Sequence, residues 1–197
     1  LTVEGKAAHA GNAPEDGRNA FYELAYQTLV TRDIAADIDG AALNWTVAQT
    51  DGNPPNQIPA SAHAIADVRI TEAGADEKLA KALDENVKGG QVVPDTKATV
   101  ALDMHRPMFQ ATDASRELAR KAQGIYQELG RELTLVPMVG GGTDAAFAAQ
   151  SGKAAVLESF GLAGAGYHAR DEYIDADSVV PRLYLVTRLL QEIGSGD

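Results

Sequence analysis

The sequence predicts an α+β domain followed by an α/β region, and three observations support this reading. Over residues 1–102 the predicted elements follow the order βαββαβ, with alternating strands and two amphipathic helices. Past that point, helices alternate with short, uniformly apolar strands, a pattern typical of parallel sheets. The dipeptide Arg106-Pro107 lies between the two patterns. The first region therefore predicts a ferredoxin-like arrangement, with helices on one face of an antiparallel sheet.

Spacing and turn residues mark each element of the first region. Strands are predicted at 1–3, 43–48, 62–70 and 97–102, and the middle two pair across the turn-rich segment 51–56. The first helix carries an apolar stripe that we expect to face the core: Phe21, Leu24, Ala25, Thr28 and Leu29. The second helix runs from about Asp76 to Lys88, ends at Gly89-Gly90, and has its own core face: Leu79, Leu83 and Val87.

The second region alternates helices with short strands. Helices are predicted at 113–129, 145–150 and 178–193, and strands at 133–136 and 154–157. The first helix has the core stripe Leu118, Ala122, Ile125 and Leu129. The last helix has the core stripe Leu183, Val186, Leu189, Leu190 and Ile193. So few strands indicate an incomplete domain, which we expect to be less stable than the first.

Composition excludes several classes of protein. The 197 residues include 17 Lys and Arg against 28 Asp and Glu, and a net charge of −11 argues against nucleic-acid or anionic-membrane binding. The absence of cysteine excludes disulfides and thiolate chemistry. Because Leu1 stands where a Met would begin a gene product and a strand is already under way, we expect a longer protein. The sequence therefore leaves the compartment open.

Two of the four histidines are candidates for a functional role. His168 follows a glycine-rich segment and precedes two carboxylates, so it is a candidate metal ligand. His9 ends a predicted strand and is a candidate donor to a developing oxyanion. A solvated loop histidine is the alternative for both. Without cysteine, a zinc site needs at least three His, Asp or Glu ligands that the fold brings together.

Further segments are candidates for binding an anion. Gly140–Asp144 precedes a helix, where free N–H groups can bind a carboxylate, but it lacks the lysine of nucleotide-binding loops. A tight turn with Thr143 as the N-cap is the alternative. Asn56 and Arg69 flank the segment Ile58–Ser61. Arg69 is either a solvated edge residue or an inward-facing carboxylate ligand, and the sequence leaves its direction open.

Four segments of the chain occur together, in this order, in one known family. They are GKAAHAGNAPEDGRNA, NWTVAQTDGNPPNQIPASAHAIADVR, GGGTDAAFAA and GLAGAGYHARDEYID. Over Thr2 to Gly194 the chain resembles the dinuclear zinc exopeptidases of the aminoacylase and carboxypeptidase group, above all the bacterial folate-cleaving glutamate carboxypeptidases. The resemblance implies a doubly wound α/β catalytic domain with two zinc ions and an inserted lid that forms a homodimer.

By this resemblance, residues 1–106 correspond to the lid and dimerisation domain, and residues 107–197 to the C-terminal part of the catalytic domain. His168 corresponds to the last zinc ligand. His9 corresponds to a lid histidine that reaches the partner subunit's active site and stabilises the oxyanion. The corresponding substrate-binding positions are Asn56, Arg69 (towards the free carboxylate), Arg106, Gly141, Gly142 and Thr143.

The resemblance also implies an activity and its limits. The intact protein would be a zinc carboxypeptidase that releases a C-terminal glutamate-like residue from N-acyl amino acids, including folate-type substrates. The family's general base and its other zinc ligands precede the matched residues, so we expect this chain alone to be inactive and to hold no zinc tightly.

Alternatives remain open at this point. The chain is otherwise a non-catalytic dimerisation and lid fragment, an aminoacylase-type amidohydrolase with another acyl substrate, or one half of a protein whose other half is a separate chain. The expected partners are a small N-acyl amino acid and a second copy of the lid, with no nucleic acid and no membrane. The compartment implied by resemblance is the periplasm, with the cytoplasm as the alternative.

Overall fold

The computed structural model describes residues 1–52, 54–136, 138 and 142–195, which belong to two compact units. The units are Leu1–Met104 and His105–Asp197. Among the described residues, no helix is long and apolar enough to cross a membrane.

The first unit is a four-stranded antiparallel sheet with two helices. Its elements are β1 (Thr2–Glu4), β2 (Ala8–His9), α1 (Ala20–Val30), β3 (Ala41–Thr50), β4 (Gln57–Ile58), β5 (Ser61–Ile70), α2 (Ala75–Gly89) and β6 (Lys97–Thr99). The sheet order is β3-β5-β1-β6, and every neighbouring pair is antiparallel. The short strands β2 and β4 pair separately, beyond one end of β1 and β5. This arrangement confirms the predicted ferredoxin-like fold.

The helix α2 packs as its spacing predicts. Leu79, Leu83 and Val87 are buried, and the helix ends at the predicted glycine pair. These leucines form a cluster with Ala35, and Trp45 of β3 packs against its edge. A period of four leaves this helix one apolar face, so the sequence determines which side is buried.

The predicted core stripe of α1 is wrong. Phe21 is 48% exposed and Leu29 is 65% exposed, whereas Glu23 and Gln27 are almost completely buried. Of the predicted stripe, only Leu24 belongs to the buried core. The helix is therefore rotated so that a polar pair faces inward and an apolar surface faces outward.

Hydrogen bonds explain why a carboxylate is buried in α1. Glu23 Oε1 accepts a hydrogen bond from Gln27 Nε2 at 2.7 Å. Its Oε2 accepts from the backbone N–H groups of Val92 and Val93 at 2.9 and 2.8 Å. A buried carboxylate is tolerated when such donors satisfy it. Glu23 therefore fastens the connection between α2 and β6 onto α1.

The second unit consists mainly of two packed helices and a small hairpin. Its elements are α3 (Asp113–Gln127), α4 (Ala145–Ala149), β7 (Gly164–Ala165), β8 (Tyr173–Ile174) and α5 (Val179–Ser195). The core lies between α3 and α5 and contains Ala122, Ile125, Tyr126, Leu185 and Leu189.

Two sequence predictions for this unit are wrong in detail. The segments 133–136 and 154–157 form no strands, because neither pairs with any other described segment. The strands that do pair here are β7 and β8, which are antiparallel. In α5 the buried residues are Pro181, Leu185 and Leu189, while Leu183, Leu190 and Ile193 are more than half exposed. Because α5 carries apolar residues on two sides, spacing alone did not identify which side is buried.

A cluster of charged groups joins α3 to α5 and makes the stability of the unit depend on pH. Hydrogen bonds from Tyr184 and then Arg188 hold the pKa of the Glu128 carboxyl below its usual value. A lowered pKa in the folded state means that the stabilisation is complete above the ordinary carboxyl pKa of about 4.3. It is lost as the pH falls through the lower pKa of the folded state.

We therefore expect Glu128→Gln to lower the thermal unfolding midpoint at neutral pH, and the difference from wild type to shrink below about pH 4. Thermal unfolding followed by circular dichroism between pH 2 and 8 measures this difference. A difference of constant size down to the lowest pH would contradict the assignment.

Candidate functional site

The loop beyond β2 and β4 brings two of the predicted site residues together. His9 pairs with Gln57 in the β2–β4 ladder, and the next amide, of Ala10, donates to the carbonyl oxygen of Asn56 at 2.8 Å. His9 and Asn56 are both exposed. The fold therefore places His9 and Asn56 within one residue of each other across the paired segments, at one end of the first unit.

The imidazole of His9 is anchored by its own loop. Its Nδ1 accepts hydrogen bonds from the backbone N–H groups of Gly11 at 3.2 Å and Asn12 at 3.1 Å. Among the described residues, Nε2 makes no hydrogen bond. The free nitrogen is thus the one available to an external molecule.

Arg69 lies at the other end of the sheet. On β5 the side chains of Ala62 and Ala64 point into the core, so Arg69 lies on the opposite, open face. There its Nε donates to Asp67 Oδ2 at 2.8 Å. Eight residues of strand separate Ser61 from Arg69, roughly 26 Å at about 3.3 Å per residue. One lid therefore does not bring Arg69 next to His9 and Asn56.

In the second unit, an ion pair joins two segments that the sequence marks separately. Arg106 Nε donates to Asp144 Oδ1 at 3.2 Å, across 38 positions of sequence. Both side chains are more than half exposed. Arg106 and the start of α4 at Asp144 are thus neighbours, which sequence spacing did not predict.

The glycine-rich segment is described only in part. Gly141 lies outside the described residues, while Gly142 is exposed. The Thr143 hydroxyl accepts a hydrogen bond from the Ala145 N–H at 3.0 Å, although the N-cap position itself is Asp144. The N-cap thus lies one residue after the predicted Thr143, and the turn itself lies partly outside the described residues. The helix α4 is only 5 residues long, which gives its N-terminus a weak dipole.

His168 stands at the tip of the β7–β8 hairpin. It is exposed, and its φ of +65° is a left-handed value rarely adopted by residues other than glycine. Its backbone N–H donates to Glu172 Oε2 at 3.3 Å, and Gly166 at +73° makes the preceding turn. The loop thus holds the histidine in an unusual conformation with its imidazole accessible, as a metal ligand requires.

The donor set within the described residues does not complete a zinc site. No three His, Cys, Asp or Glu side chains gather around His168 or elsewhere in the described ranges. Zinc needs three or four ligands, so His168 fits as one ligand and the described residues do not hold the ion by themselves.

Sequence reasoning missed the acidic partners of Arg69 and Arg106. Asp67 was detectable, because residues two apart on a strand lie on the same face. Asp144 was not, since its contact with Arg106 depends on how two loops approach each other. Glu172 is one of the two carboxylates that the sequence places after His168.

Comparison with known proteins finds a matching domain and two relatives. Residues 1–92 match the peptidase dimerisation domain of the M20 family. The whole chain is 40% identical over 197 residues to carboxypeptidase G2 from Pseudomonas sp. (strain RS-16) and spans about half of that protein, 47%. Over 59 residues, 29% of this chain, it is 48% identical to one of the subunits of p-aminobenzoyl-glutamate hydrolase from Escherichia coli (strain K12), covering 13% of that protein.

A solved structure supports the same fold. A tripeptidase from Staphylococcus aureus subsp. aureus Mu50 superposes with a TM-score of 0.70 over 95% of this chain and 48% of its own, at 18% identity. That likeness bears on the fold alone. Together with the domain match and the full-length identity, it confirms the resemblance carried by the four motifs. The chain is therefore similar along its whole length to a carboxypeptidase, and its residues 1–92 match the peptidase dimerisation domain of the M20 peptidases.

Proposed function

We propose that the full-length product is a zinc-dependent carboxypeptidase that cleaves the amide bond to a C-terminal glutamate-like residue of N-acyl amino acids. The observation that carries the proposal is 40% identity, along all 197 residues, to a protein named as a carboxypeptidase. The choice of a glutamate-like residue and a folate-type acyl group draws on a second relative, named as a p-aminobenzoyl-glutamate hydrolase.

Each candidate residue receives a role in this reaction. His168 would be one ligand of the zinc ion, which would supply Lewis-acid polarisation of the scissile carbonyl and an activated water. His9 donates a hydrogen bond to the oxygen on which negative charge develops. Arg69 releases Asp67 and binds the free carboxylate of the substrate in its place. Asn56, Arg106, Gly141, Gly142 and Thr143 are proposed as further substrate-binding residues, on the ground of the resemblance alone.

The separation of Arg69 from His9 supports an active site shared between two subunits. Arg69 lies near one end of β5, and His9 lies beyond the other end, which begins at Ser61, roughly 26 Å from Arg69 along the strand. An N-acyl glutamate is too short to bridge that distance. If both residues contact one substrate, one comes from the subunit that holds the metal and the other from its partner. A homodimer formed by the lid meets this requirement.

The surface of the first unit supports self-association. On α1 four large apolar side chains are exposed: Phe21, Tyr22, Leu29 and Val30. The strand β3 is an edge of the sheet, and its residues from Val47 to Thr50 are exposed. An uncovered edge strand beside an apolar helix surface is a typical site for pairing with a second copy.

We expect Leu29→Asp to weaken self-association at least tenfold, because it introduces a charge into the apolar contact. Light scattering over a range of concentrations measures the association. The matched control is Met104→Asp, at an exposed apolar residue at the end of the same unit, and it should associate as wild type does. A strictly monomeric wild type would contradict the proposal.

The proposed activity is tested with p-aminobenzoyl-glutamate and the full-length product. We expect release of glutamate that stops when a chelator removes the metal and resumes when zinc is restored. Absence of metal-dependent cleavage of this and other N-acyl glutamates would overturn the carboxypeptidase proposal. Cleavage only of N-acyl amino acids without a glutamate-like residue would favour the aminoacylase-type alternative.

For the 197-residue chain alone we expect no hydrolysis and no tight binding of zinc. The described residues offer His168 without a second and third ligand nearby, and one imidazole does not hold the ion. Isothermal titration with zinc measures this directly. Binding with a submicromolar Kd would contradict the expectation.

A further inference from the structure

Two backbone N–H groups of its own loop donate hydrogen bonds to one nitrogen of the His9 ring. Nδ1 accepts from the Gly11 N–H at 3.2 Å and from the Asn12 N–H at 3.1 Å. The Ala13 N–H donates to the carbonyl oxygen of His9 at 3.1 Å and closes the same turn. The backbone of residues 9–13 therefore determines what the imidazole ring presents to the outside.

This geometry determines which ring nitrogen carries the proton. A nitrogen that accepts a hydrogen bond carries no proton, so in a neutral imidazole the proton lies on the other nitrogen. A proton on Nδ1 would face the N–H groups of Gly11 and Asn12, which are also donors, so neither hydrogen bond could form. The loop therefore favours the ring with a proton on Nε2 and none on Nδ1.

We infer that the backbone amides of Gly11 and Asn12 fix His9 as the neutral Nε2–H tautomer, which makes it a hydrogen-bond donor and not a general base towards its substrate. The tautomer follows from the loop geometry alone, whereas the amide substrate rests on the proposed function. Gly11 and Asn12 are positioning residues, because they act through His9.

The tautomer determines which of two roles, general base or oxyanion donor, His9 can take at the scissile amide. A general base needs an unprotonated nitrogen facing the reacting water, and Nε2 would lack its proton only if Nδ1 gained one. An oxyanion donor needs a proton that stays in place throughout the reaction. His9 meets the second requirement, so the proton of the attacking water is taken by a group other than His9.

The tautomer is tested by nitrogen-15 NMR on the 197-residue chain. Long-range proton–nitrogen spectra distinguish a protonated from an unprotonated ring nitrogen. At a pH about two units above the ordinary imidazole pKa of about 6.5, where the ring is neutral, we expect His9 to show an unprotonated Nδ1 and a protonated Nε2, with no averaging between tautomers. His105 is the internal reference, because its ring makes no hydrogen bond within the described part of the chain. A proton on Nδ1 of His9, or the same averaged spectrum as His105, would overturn the inference.

Two variants separate the backbone amide from the side chain at position 12. Asn12→Pro removes the N–H, and Asn12→Ala keeps it. We expect Asn12→Pro to shift the His9 spectrum towards that of His105 and Asn12→Ala to leave it unchanged. In the full-length product, Asn12→Pro should lower kcat about fivefold relative to Asn12→Ala at similar KM, as loss of one hydrogen bond would do.

Equal spectral changes in both variants would overturn the role of the amide. A full-length product without hydrolase activity would refute the proposed function, and the NMR result would still decide the tautomer.

Discussion

His9→Ala in the full-length product is expected to lower kcat about 10²- to 10³-fold and to change KM little. In the proposed reaction the imidazole donates to an oxygen that becomes negative only as the reaction proceeds, so its loss should affect the transition state more than substrate binding. Removal of one such donor from an oxyanion site typically has this effect on kcat. Because His9 is exposed, the variant should fold as wild type does.

Steady-state kinetics on p-aminobenzoyl-glutamate give both constants. His9→Gln, whose side-chain amide can also donate, should retain more activity than His9→Ala. His63→Ala is the control, since His63 lies on the open face of β5 and has no assigned role. A rise in KM with unchanged kcat would instead indicate that His9 only binds the substrate.

Glu23→Ala is expected to destabilise the first unit by about 3 kcal/mol. The substitution removes the acceptor for Gln27 Nε2 and for the backbone amides of Val92 and Val93. Donors left unsatisfied in a buried place typically cost about 1–3 kcal/mol each, and water that enters beside Val92 offsets part of the loss. The connection between α2 and β6 should loosen first.

Urea unfolding of the chain measures the change, and hydrogen exchange at Val92 and Val93 locates it. Glu23→Gln should lie between wild type and Glu23→Ala, because an amide keeps one acceptor oxygen. The matched control is Glu85→Ala, at an exposed glutamate paired with Lys81, which should change stability by less than about 0.5 kcal/mol. Equal losses for Glu23→Ala and Glu85→Ala would refute the anchoring role.

The elements that could be predicted from sequence are those with a single apolar face. The leucines of α2 lie on a single face, so the buried side of this helix is predictable. The alternation of apolar and polar residues along β3 and β5 predicts that these two strands pair. In α1 the residues Glu23 and Gln27 look like a solvent face, and only their partners seventy positions away make them buried.

The site was predictable by residue type and not by geometry. The motifs identified His9, Asn56 and Arg69, but register decides that Arg69 lies at the far end of β5. The tautomer of His9 depends on two backbone amides, whose direction no side-chain pattern reports. Contacts between loops, as of Arg106 with Asp144, are likewise a product of the whole fold.

The length of β5 has a genetic consequence. If Arg69 serves one catalytic centre and His9 the other, two alleles that each inactivate the enzyme need not fail together. In a dimer of one Arg69→Ala subunit and one His9→Ala subunit, one catalytic centre contains both substituted residues and the other contains neither. Cells that express both alleles would then regain a function that neither allele provides alone.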